Sequence, residues 1–297
     1  MKVVISGASS GIGLALARHY LKRGAIVAAF ARRSELLQIL ATEFPDKVFC
    51  YALDVRDAVA IQSAAQDFVS RVGIPDIVIA NAGVSRGTLT EYAEDIDSFQ
   101  QVMDINVLGM VKTFQPFLAA MREAACSQPS PQSSGETTSH STKHDEAVQV
   151  AGYPASGESE ARGAQPGKRE KHFTLVGIAS VAGFRGLPGA SAYSASKAAA
   201  ISYLESLRVE LRGSGVKVVT ICPGYIKTPM TDVNPYPMPF IMDADDAAKR
   251  MALAIERDCS FSVIPWQMGL VGRAMKLLPN WLYDLILKRA PYKPRNF

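Results

Sequence analysis

The chain has 297 residues, of which 48% are hydrophobic and 20% charged, and its formal net charge is +4. This length fits one large α/β domain or two small ones, and the composition is that of an ordinary globular protein. No apolar stretch is long enough to span a bilayer, no basic leader precedes the first strand, and four scattered cysteines lack CxxC spacing. These features favour a cytoplasmic protein without a secretory signal.

Short apolar runs alternate with amphipathic stretches up to about residue 265. This alternation predicts an α/β fold, with a doubly wound parallel sheet of about seven strands flanked by helices. A first helix is expected after Gly13, and a later one over residues 193–211. The predicted strands are residues 3–6, 26–30, 48–53, 77–80, 173–178, 217–221 and 261–264.

Three glycines join the first predicted strand to the first predicted helix. Glycine allows a tight turn and a close approach of the backbone to phosphate, and a helix N-terminus attracts negative charge. The loop therefore predicts a site for a dinucleotide pyrophosphate. A tight strand-to-helix turn without a ligand is the alternative interpretation. The predicted loop comprises Gly7, Ser9, Ser10, Gly11, Ile12 and Gly13.

The second predicted strand is followed by Arg32 and Arg33, with no acid where an NAD site binds the ribose diol. A carboxylate there would repel a 2′-phosphate, whereas a guanidinium can bind it through two hydrogen bonds. We therefore predict NADP(H), with NAD(H) the less favoured cofactor. Arg32 is the leading phosphate ligand and Arg33 the second. A solvated basic turn is the alternative interpretation.

A polar segment interrupts the pattern at residues 127–172, which contain no Leu, Ile, Phe, Met or Trp. Such a segment buries too little apolar surface to offset the entropy of ordering, which predicts a disordered insertion. Because it joins a helix to a strand, it should point away from the strand ends that bind ligands. A regulatory or partner-binding segment is the alternative. His140 and His144 within it are expected to be solvated, and no metal site is predicted.

Tyr193 and Lys197 are four residues apart in a predicted helix, so their side chains share one face. A free phenol titrates near pH ~10, and a neighbouring ammonium favours the phenolate. The pair therefore predicts a lowered Tyr193 pKa. A tyrosine tuned in this way can exchange a proton with an alcohol or a carbonyl. Beside a dinucleotide, that chemistry indicates hydride transfer.

The sequence resembles the short-chain dehydrogenase/reductase family over about residues 1–126 and 172–265. The family loop usually begins Thr-Gly, and Ser6-Gly7 retains the hydroxyl. The resemblance implies a single-domain Rossmann fold over residues 1–265, assembled as a homodimer or homotetramer. It is carried, in the expected order and approximate spacing, by the glycine loop, Asn81-Ala82-Gly83, Asn106, Ser180, the Tyr193/Lys197 pair and Pro223-Gly224.

This resemblance implies four catalytic residues. Tyr193 would give a proton to the carbonyl oxygen, and Lys197 would lower its pKa and bind the nicotinamide ribose. Ser180 would donate a hydrogen bond to the reacting oxygen. Asn106 would hold a water that links Lys197 to solvent, or satisfy a buried backbone group, and both roles are compatible.

The resemblance also implies contacts at both ends of the cofactor. Asp54 would meet the adenine amino group beside Val55, with a cap for the helix near Asp57 as the alternative role. Thr228 would hydrogen-bond the nicotinamide carboxamide. Small residues after the fourth strand would let the backbone approach the cofactor, or would support the sheet. The other residues predicted to bind the cofactor are Asn81, Ala82, Gly83, Tyr193, Lys197, Pro223, Gly224 and Ile226.

Two regions near the C-terminus are open to more than one interpretation. Residues 230–242 interleave three prolines with Tyr, Met and Phe, which suits either an apolar lid or a packed connector. Residues 266–297 form a basic amphipathic extension. It is interpreted as a cover over the cleft or a subunit interface, with a peripheral membrane contact as the alternative. The remaining chain is nearly neutral, which argues against nucleic acid as a partner.

The sequence thus predicts an NADP(H)-dependent oxidoreductase that reduces a small-molecule carbonyl to an alcohol, or runs the reverse reaction. A hydrophobic or lipid-like ketone is the expected substrate. The alternative enzyme is an NAD-linked alcohol or hydroxysteroid dehydrogenase. The alternatives of other classes are a non-catalytic NADP(H)-sensing regulator on the same fold and a scaffold that acts through the insertion.

Overall fold

A computed structural model of the protein describes residues 1–127, 172–288, 290 and 292–295. Seven strands form one parallel sheet in the order β3-β2-β1-β4-β5-β6-β9, which confirms the predicted fold class. A separate two-stranded parallel sheet, β7-β8, was not predicted. The strands are β1 Lys2–Ser6, β2 Ile26–Ala31, β3 Val48–Ala52, β4 Ile77–Ala80, β5 Phe173–Ile178, β6 Val216–Pro223, β7 Ile226–Lys227, β8 Met242–Asp243 and β9 Phe261–Ile264.

Helices connect these strands, and two irregular turns of helix lie beside them. A π-helical segment, Asp104–Leu108, joins α4 to α5, and a 3₁₀ turn, Val181–Gly183, follows β5. The predicted insertion lies outside the described residues except at its two ends, and so do His140 and His144. The helices are α1 Gly11–Lys22, α2 Ser34–Glu43, α3 Ala58–Val72, α4 Asp95–Met103, α5 Gly109–Cys126, α6 Ser191–Glu210, α7 Pro229–Asp232, α8 Ala244–Glu256, α9 Trp266–Leu277 and α10 Asn280–Leu287.

Both faces of the sheet are buried, because side chains along each strand alternate between two apolar clusters. In β1, Val3 and Ile5 pack into one cluster with α1 and α8, whereas Val4 packs into the other with α3, α5 and α6. Val3, Val4 and Ile5 are all fully buried. This two-sided burial explains the continuous apolar runs in the sequence.

The sheet has its topological switch point at β1, which pairs with β2 on one side and β4 on the other. Chain crossovers run in opposite directions from this point, so a crevice opens at the carboxyl ends of β1 and β4. The chain from Ser6 to Gly11 turns at this crevice. The fold therefore places the glycine loop where doubly wound sheets bind their ligands.

Candidate active site

The glycine loop is a tight turn from β1 into α1. Gly7 and Gly11 have φ angles of 70° and 54°, a region that L side chains rarely adopt. A Cβ atom at Gly13 would overlap the Gly7 carbonyl oxygen and the Asn81 side chain. The prediction that α1 follows Gly13 is wrong by one turn: α1 begins at Gly11, because the close packing at Gly13 lets the helix start directly against the loop.

Side chains from the ends of β1 and β4 hold this loop in place. The Ser6 hydroxyl accepts hydrogen bonds from the backbone N–H groups of Asn81 and Ala82, at 3.2 and 3.3 Å. The Asn81 side-chain amide donates to the Ser6 and Gly7 carbonyl oxygens, at 3.0 and 3.3 Å. Asn81 therefore supports the sheet and also fixes the glycine turn. The Ser6 hydroxyl joins the end of β1 to the loop that follows β4.

Arginines approach the glycine loop from the end of β2. The Arg33 guanidinium donates to the hydroxyls of Ser9 and Ser10, at 3.2 and 2.9 Å. Both Arg32 and Arg33 are exposed and line the same cleft as the loop. Ser10 precedes α1 in an extended conformation, and its side chain makes no capping hydrogen bond to the helix. The first backbone N–H groups of α1 therefore keep their capacity to bind an anion.

Asp54 follows β3 and forms an ion pair with Arg56, a residue that sequence reasoning missed. Its carboxylate accepts from the Arg56 backbone N–H, Nε and Nη2 at 2.9, 3.1 and 2.8 Å. The side-chain hydrogen bonds from Arg56 hold the Asp54 pKa below its ordinary value. The alternative role for Asp54 as a helix cap is wrong, because Asp57 caps α3 by accepting from Ala60.

Tyr193 and Lys197 share one face of α6, as the four-residue spacing predicted. The Lys197 Nζ lies 5.7 Å from the centroid of the Tyr193 ring and donates to the Ile178 carbonyl oxygen at 2.9 Å. Ser180 follows β5, and its hydroxyl accepts from the Ala182 N–H at 3.2 Å. A weaker contact joins the Ser180 hydroxyl to the Pro223 carbonyl at 3.4 Å. The ends of β5 and β6 thus meet at these side chains.

Burial controls the protonation of this pair. It lowers the pKa of Lys197 to about 8 from an ordinary value of 10.5, because Lys197 is only 4% exposed. Burial also raises the pKa of Tyr193, and a hydrogen bond with Ser180 acts in the opposite direction. The predicted lowering of the Tyr193 pKa is therefore wrong, because desolvation outweighs the opposing effects on this hydroxyl. The thiol of Cys222 lies near Lys197, and burial raises its pKa to about 12.

Asn106 lies in the π-helical segment and is almost completely buried. Its side-chain oxygen accepts from the Val84 N–H at 2.8 Å, and its nitrogen donates to the Val84 carbonyl and the Ser196 hydroxyl, each at 2.9 Å. The interpretation that Asn106 satisfies buried backbone groups is confirmed by these contacts. Sequence reasoning missed the π segment, although such distortions are frequent at functional sites.

The loop after β6 forms the opposite wall. Thr228 and Thr231 cap the short helix α7 reciprocally. The Thr228 side chain would lie 3.2 Å from a Cβ at Gly11, so this loop packs against the glycine turn. The segment of residues 230–242 is fastened at both ends by the pairing of β7 with β8. Only its first residues, Met230 and Thr231, line the cleft.

A cleft of about 270 Å³ runs between these walls, from the arginines after β2 to Tyr193 and Lys197. It unites nearly all the residues predicted from the sequence. Gly13 and Asn106 do not line it. Gly13 packs below the loop, and Asn106 acts through the backbone of Val84. Met230 and Thr231 come from the segment that was interpreted as a lid or a connector. The lining residues that the sequence did not indicate are Phe30, Ala31, Leu53, Val84, Ile105, Ile178, Ala179 and Pro229.

Comparison with known proteins places this arrangement in a family. The family profile described as short chain dehydrogenase matches residues 1–130 and 167–236. A Myxococcus xanthus protein named "Uncharacterized oxidoreductase" is 34% identical over 289 residues, which cover 96% of each chain. The chain belongs to the short-chain dehydrogenase family.

Other relatives of this short-chain dehydrogenase differ in their cofactors. A Sphingomonas protein named 2-dehydro-3-deoxy-L-rhamnonate dehydrogenase (NAD(+)) is 28% identical, over 87% of this chain and 89% of the relative. A short chain dehydrogenase from Burkholderia cenocepacia, solved in complex with NADP, aligns over 98% of each chain with a TM-score of 0.70 and 21% identity. Membership of the family makes the chain an oxidoreductase that acts on CH–OH or C=O groups.

The C-terminal extension packs beside the loop that follows Ser180. The Arg185 guanidinium donates to the carbonyl oxygens of Met275 and Leu278 at the end of α9, at 2.5 and 2.6 Å. It also stacks 3.8 Å from the centroid of the Tyr283 ring. The Tyr283 hydroxyl donates to the Gly186 carbonyl at 2.6 Å. Within the described part of the chain, no helix is long and apolar enough to cross a membrane.

Residues 292–295, which we call the C-terminal segment, return to the loop that follows β4. The Pro294 carbonyl accepts from the Gly87 N–H at 3.1 Å. Arg295 forms ion pairs with Asp95 and Glu94 at 2.9 and 3.0 Å, and it stacks 3.6 Å from the Tyr92 ring centroid. Sequence reasoning gave no indication of these contacts, because the partners are far apart along the chain.

Proposed function

We propose that this short-chain dehydrogenase is an NADP(H)-dependent carbonyl reductase whose substrate is a hydrophobic ketone. The supporting observation is a single cleft with Arg33 on the glycine loop at one end and Tyr193 with Lys197 at the other. The first end suits a phosphorylated ribose and the second suits proton transfer. Between these two ends the cleft is lined by backbone and small residues, which leave space for an extended dinucleotide.

The residues in the cleft fit such a cofactor. Gly7 and Gly11 let the loop turn tightly against Ala82 and Thr228, and the N-terminus of α1 offers N–H groups to a pyrophosphate. Asp54 and Val55 would bind the adenine end, and Pro223, Gly224, Ile226 and Thr228 the nicotinamide end. When bound, the reduced cofactor supplies the hydride for the carbonyl carbon.

Selectivity for the 2′-phosphate is proposed to come from the two arginines together. The second strand ends at Ala31, so no carboxylate repels the phosphate there. The contacts of Arg33 with Ser9 and Ser10 already hold its guanidinium over the loop, whereas Arg32 remains exposed beside it. An NAD-linked dehydrogenase is the competing proposal, in keeping with the Sphingomonas relative's name.

Cofactor choice is tested by steady-state kinetics with NADPH and NADH on the wild type, Arg32→Ser and Arg33→Ser. Each substitution should lower kcat/KM for NADPH by about tenfold or more, because a charge-assisted contact is lost, and leave NADH nearly unchanged. Arg71→Ser, at an exposed arginine outside the cleft, is the matched control. A wild type that prefers NADH would overturn the proposed selectivity.

The catalytic side chains have separable tasks in the proposed reduction. The Tyr193 hydroxyl gives its proton to the carbonyl oxygen as that oxygen becomes negative. The Ser180 hydroxyl accepts from the Ala182 N–H and donates only a long hydrogen bond, of 3.4 Å, to the Pro223 carbonyl, so its hydrogen would turn to the same substrate oxygen. Lys197 is held by Ile178 and would bind the nicotinamide ribose. Asn106 would order a water that returns protons to Tyr193 through Lys197.

The substrate side favours an apolar molecule. Met230 lines the cleft, and residues 230–242 place Tyr236 near Tyr193. A screen of ketones from short and polar to long and apolar, with NADPH oxidation as the readout, tests this proposal. Turnover should rise with apolar length. Equal or better turnover of small polar carbonyls would exclude the hydrophobic class, and NADPH binding without any turnover would favour the regulator.

The exposed apolar face of α9 and α10 is proposed to contact another surface. A second copy, giving a homodimer or homotetramer, is the first proposal, and a membrane surface the second, since exposed Arg273, Lys276 and Lys288 lie on the same helices or just after them. Light scattering and vesicle flotation of the wild type and Trp281→Ser distinguish them. The face consists of Trp266, Leu270, Leu277, Trp281, Leu285 and Ile286.

A further inference from the structure

The Tyr193 ring has a second ammonium beside it. The Lys293 Nζ, carried by the C-terminal segment, lies 6.0 Å from the ring centroid, close to the 5.7 Å of the Lys197 Nζ. Lys197 belongs to the family pattern, whereas Lys293 lies beyond the residues that the family profile matches. The second ammonium is therefore a feature that family membership does not explain.

Lys293 is held in this position by several contacts. Its Nζ donates to the Ser85 hydroxyl at 2.8 Å, and its side chain is only 9% exposed. A Cβ atom at Gly87 would overlap the Lys293 carbonyl oxygen, so the segment lies directly against this loop. Arg295 fastens the other end of the segment to Asp95. The ammonium is thus built into the wall beside the reacting centre.

Lys293 lacks a counter-charge within the described chain. The nearby carboxylates of Asp95 and Glu94 are paired with Arg295, and no acidic side chain of the described residues forms an ion pair with Lys293. Burial lowers the pKa of Lys293 to about 8. A buried charge is expensive without a partner, and lysine is rarely buried unless paired. Among the described residues, the Lys293 ammonium therefore has no carboxylate that pairs with it.

The cofactor is poorly placed to supply that anion. Its phosphates would lie at the glycine loop and at Arg33, the far end of the cleft from Tyr193. Lys293 does not line the cofactor cleft, whereas Val84, the residue before its partner Ser85, does. The 6.0 Å separation of the Lys293 Nζ from the Tyr193 ring centroid places the ammonium beside Tyr193 and away from the phosphate end of the cleft.

We infer that Lys293 is a substrate-binding residue, and that the substrate is a ketone which also carries a carboxylate or another acidic group. This inference rests on the proposed reductase function and narrows its substrate class to acidic molecules with an apolar body. The acidic group pairs with the Lys293 Nζ while the carbonyl oxygen accepts from Tyr193. The apolar part of the molecule lies beside Met230, at the start of residues 230–242.

The test compares oxo acids with their methyl esters, which keep the ketone and remove the charge. A series with increasing carbon number between ketone and carboxylate is measured with NADPH on the wild type, Lys293→Met and Lys293→Arg. We expect the wild type to prefer one acid over its ester, and Lys293→Met to raise KM for that acid about tenfold or more. The ester should change little, and Lys293→Arg should retain most of the preference. Lys47→Met, at an exposed lysine outside the cleft, is the matched control.

Each outcome separates the inference from the function on which it rests. Turnover of esters, with an acid preference absent or unaffected by Lys293→Met, overturns the role of Lys293 and leaves the reductase proposal standing. An equal loss for acid and ester shows that Lys293 only fastens the C-terminal segment, which also overturns the inference. Failure of the wild type to reduce any ketone overturns both.

Discussion

The two ends of the cleft are built in different ways. The nucleotide end is made by residues close together in sequence, with the glycine loop and Arg33 all within the first 33 residues. At the other end, the wall beside Tyr193 brings Ser85 and Lys293 close to this residue from two distant parts of the chain. The first end depends mainly on local geometry, with Asn81 and Thr228 as distant supports, whereas the second depends on long-range packing. Cofactor binding and substrate choice should therefore respond to different substitutions.

The largest effect is expected for Tyr193→Phe. Removing the proton donor should lower kcat by about 10²- to 10⁴-fold, the usual contribution of general acid catalysis, with NADPH affinity little changed. Single-turnover kinetics and fluorescence titration of NADPH measure the two quantities separately. Tyr203→Phe, on the same helix but outside the cleft, is the control. Comparable loss in both variants would contradict the assignment of Tyr193.

The substitution Gly13→Ala should weaken NADPH binding by disturbing the glycine loop. The new methyl group overlaps the Gly7 carbonyl and the Asn81 amide, so the loop must shift. We expect a stability loss of about 1–3 kcal/mol and NADPH binding weakened about tenfold or more. Gly186→Ala is the control, since its Cβ meets no atom within 4 Å. Calorimetry and NADPH titration report both effects, and unaltered binding in Gly13→Ala would remove the packing argument.

The buried ammonium of Lys197 should lower the free energy of unfolding at neutral pH, because the pKa of Lys197 is about 8 in the folded chain and 10.5 ordinarily. Between these values the unfolded chain binds more protons, so the free energy of unfolding rises with pH. The free energy of unfolding of Lys197→Met should be higher than that of the wild type by up to about 3 kcal/mol at pH 7. This difference should shrink as the pH rises through 8 towards 10.5. Denaturant unfolding at several pH values measures this difference. A constant difference, as expected for exposed Lys217→Met, would contradict burial of the Lys197 ammonium as the cause.

The smallest effect is expected for Arg295→Gln, which loosens the C-terminal segment. Its ion pair with Glu94 is exposed, whereas Asp95 is buried but keeps the hydrogen bond from the Leu89 N–H and can accept from the new amide, so the stability loss should be about 1 kcal/mol. KM for the carbonyl substrate should rise several-fold while the dissociation constant of NADPH stays constant. Arg71→Gln breaks an exposed ion pair elsewhere and should alter neither quantity. A change in NADPH affinity would show that the two ends are coupled.

The features that could be predicted from the sequence are those that depend on neighbouring residues, and those set by long-range packing could not. The strands, the glycine loop and the pairing of Tyr193 with Lys197 depend on local periodicity, and each was predicted close to its observed place. The Tyr193 pKa was predicted in the wrong direction, because desolvation depends on neighbours that spacing does not reveal. The ion pair of Asp54 with Arg56, the π segment at Asn106 and the contacts of Lys293 needed the folded chain.

The docking of residues 292–295 beside Tyr193 has an evolutionary consequence. These four residues lie outside the stretch that the family profile matches, yet they form part of the wall next to the proton donor. If Lys293 binds the substrate as proposed, divergence there would change which molecule enters without disturbing that tyrosine or the nucleotide loop. Exchanging this short peptide between paralogues is accordingly a compact route to new selectivity on an unchanged catalytic scaffold.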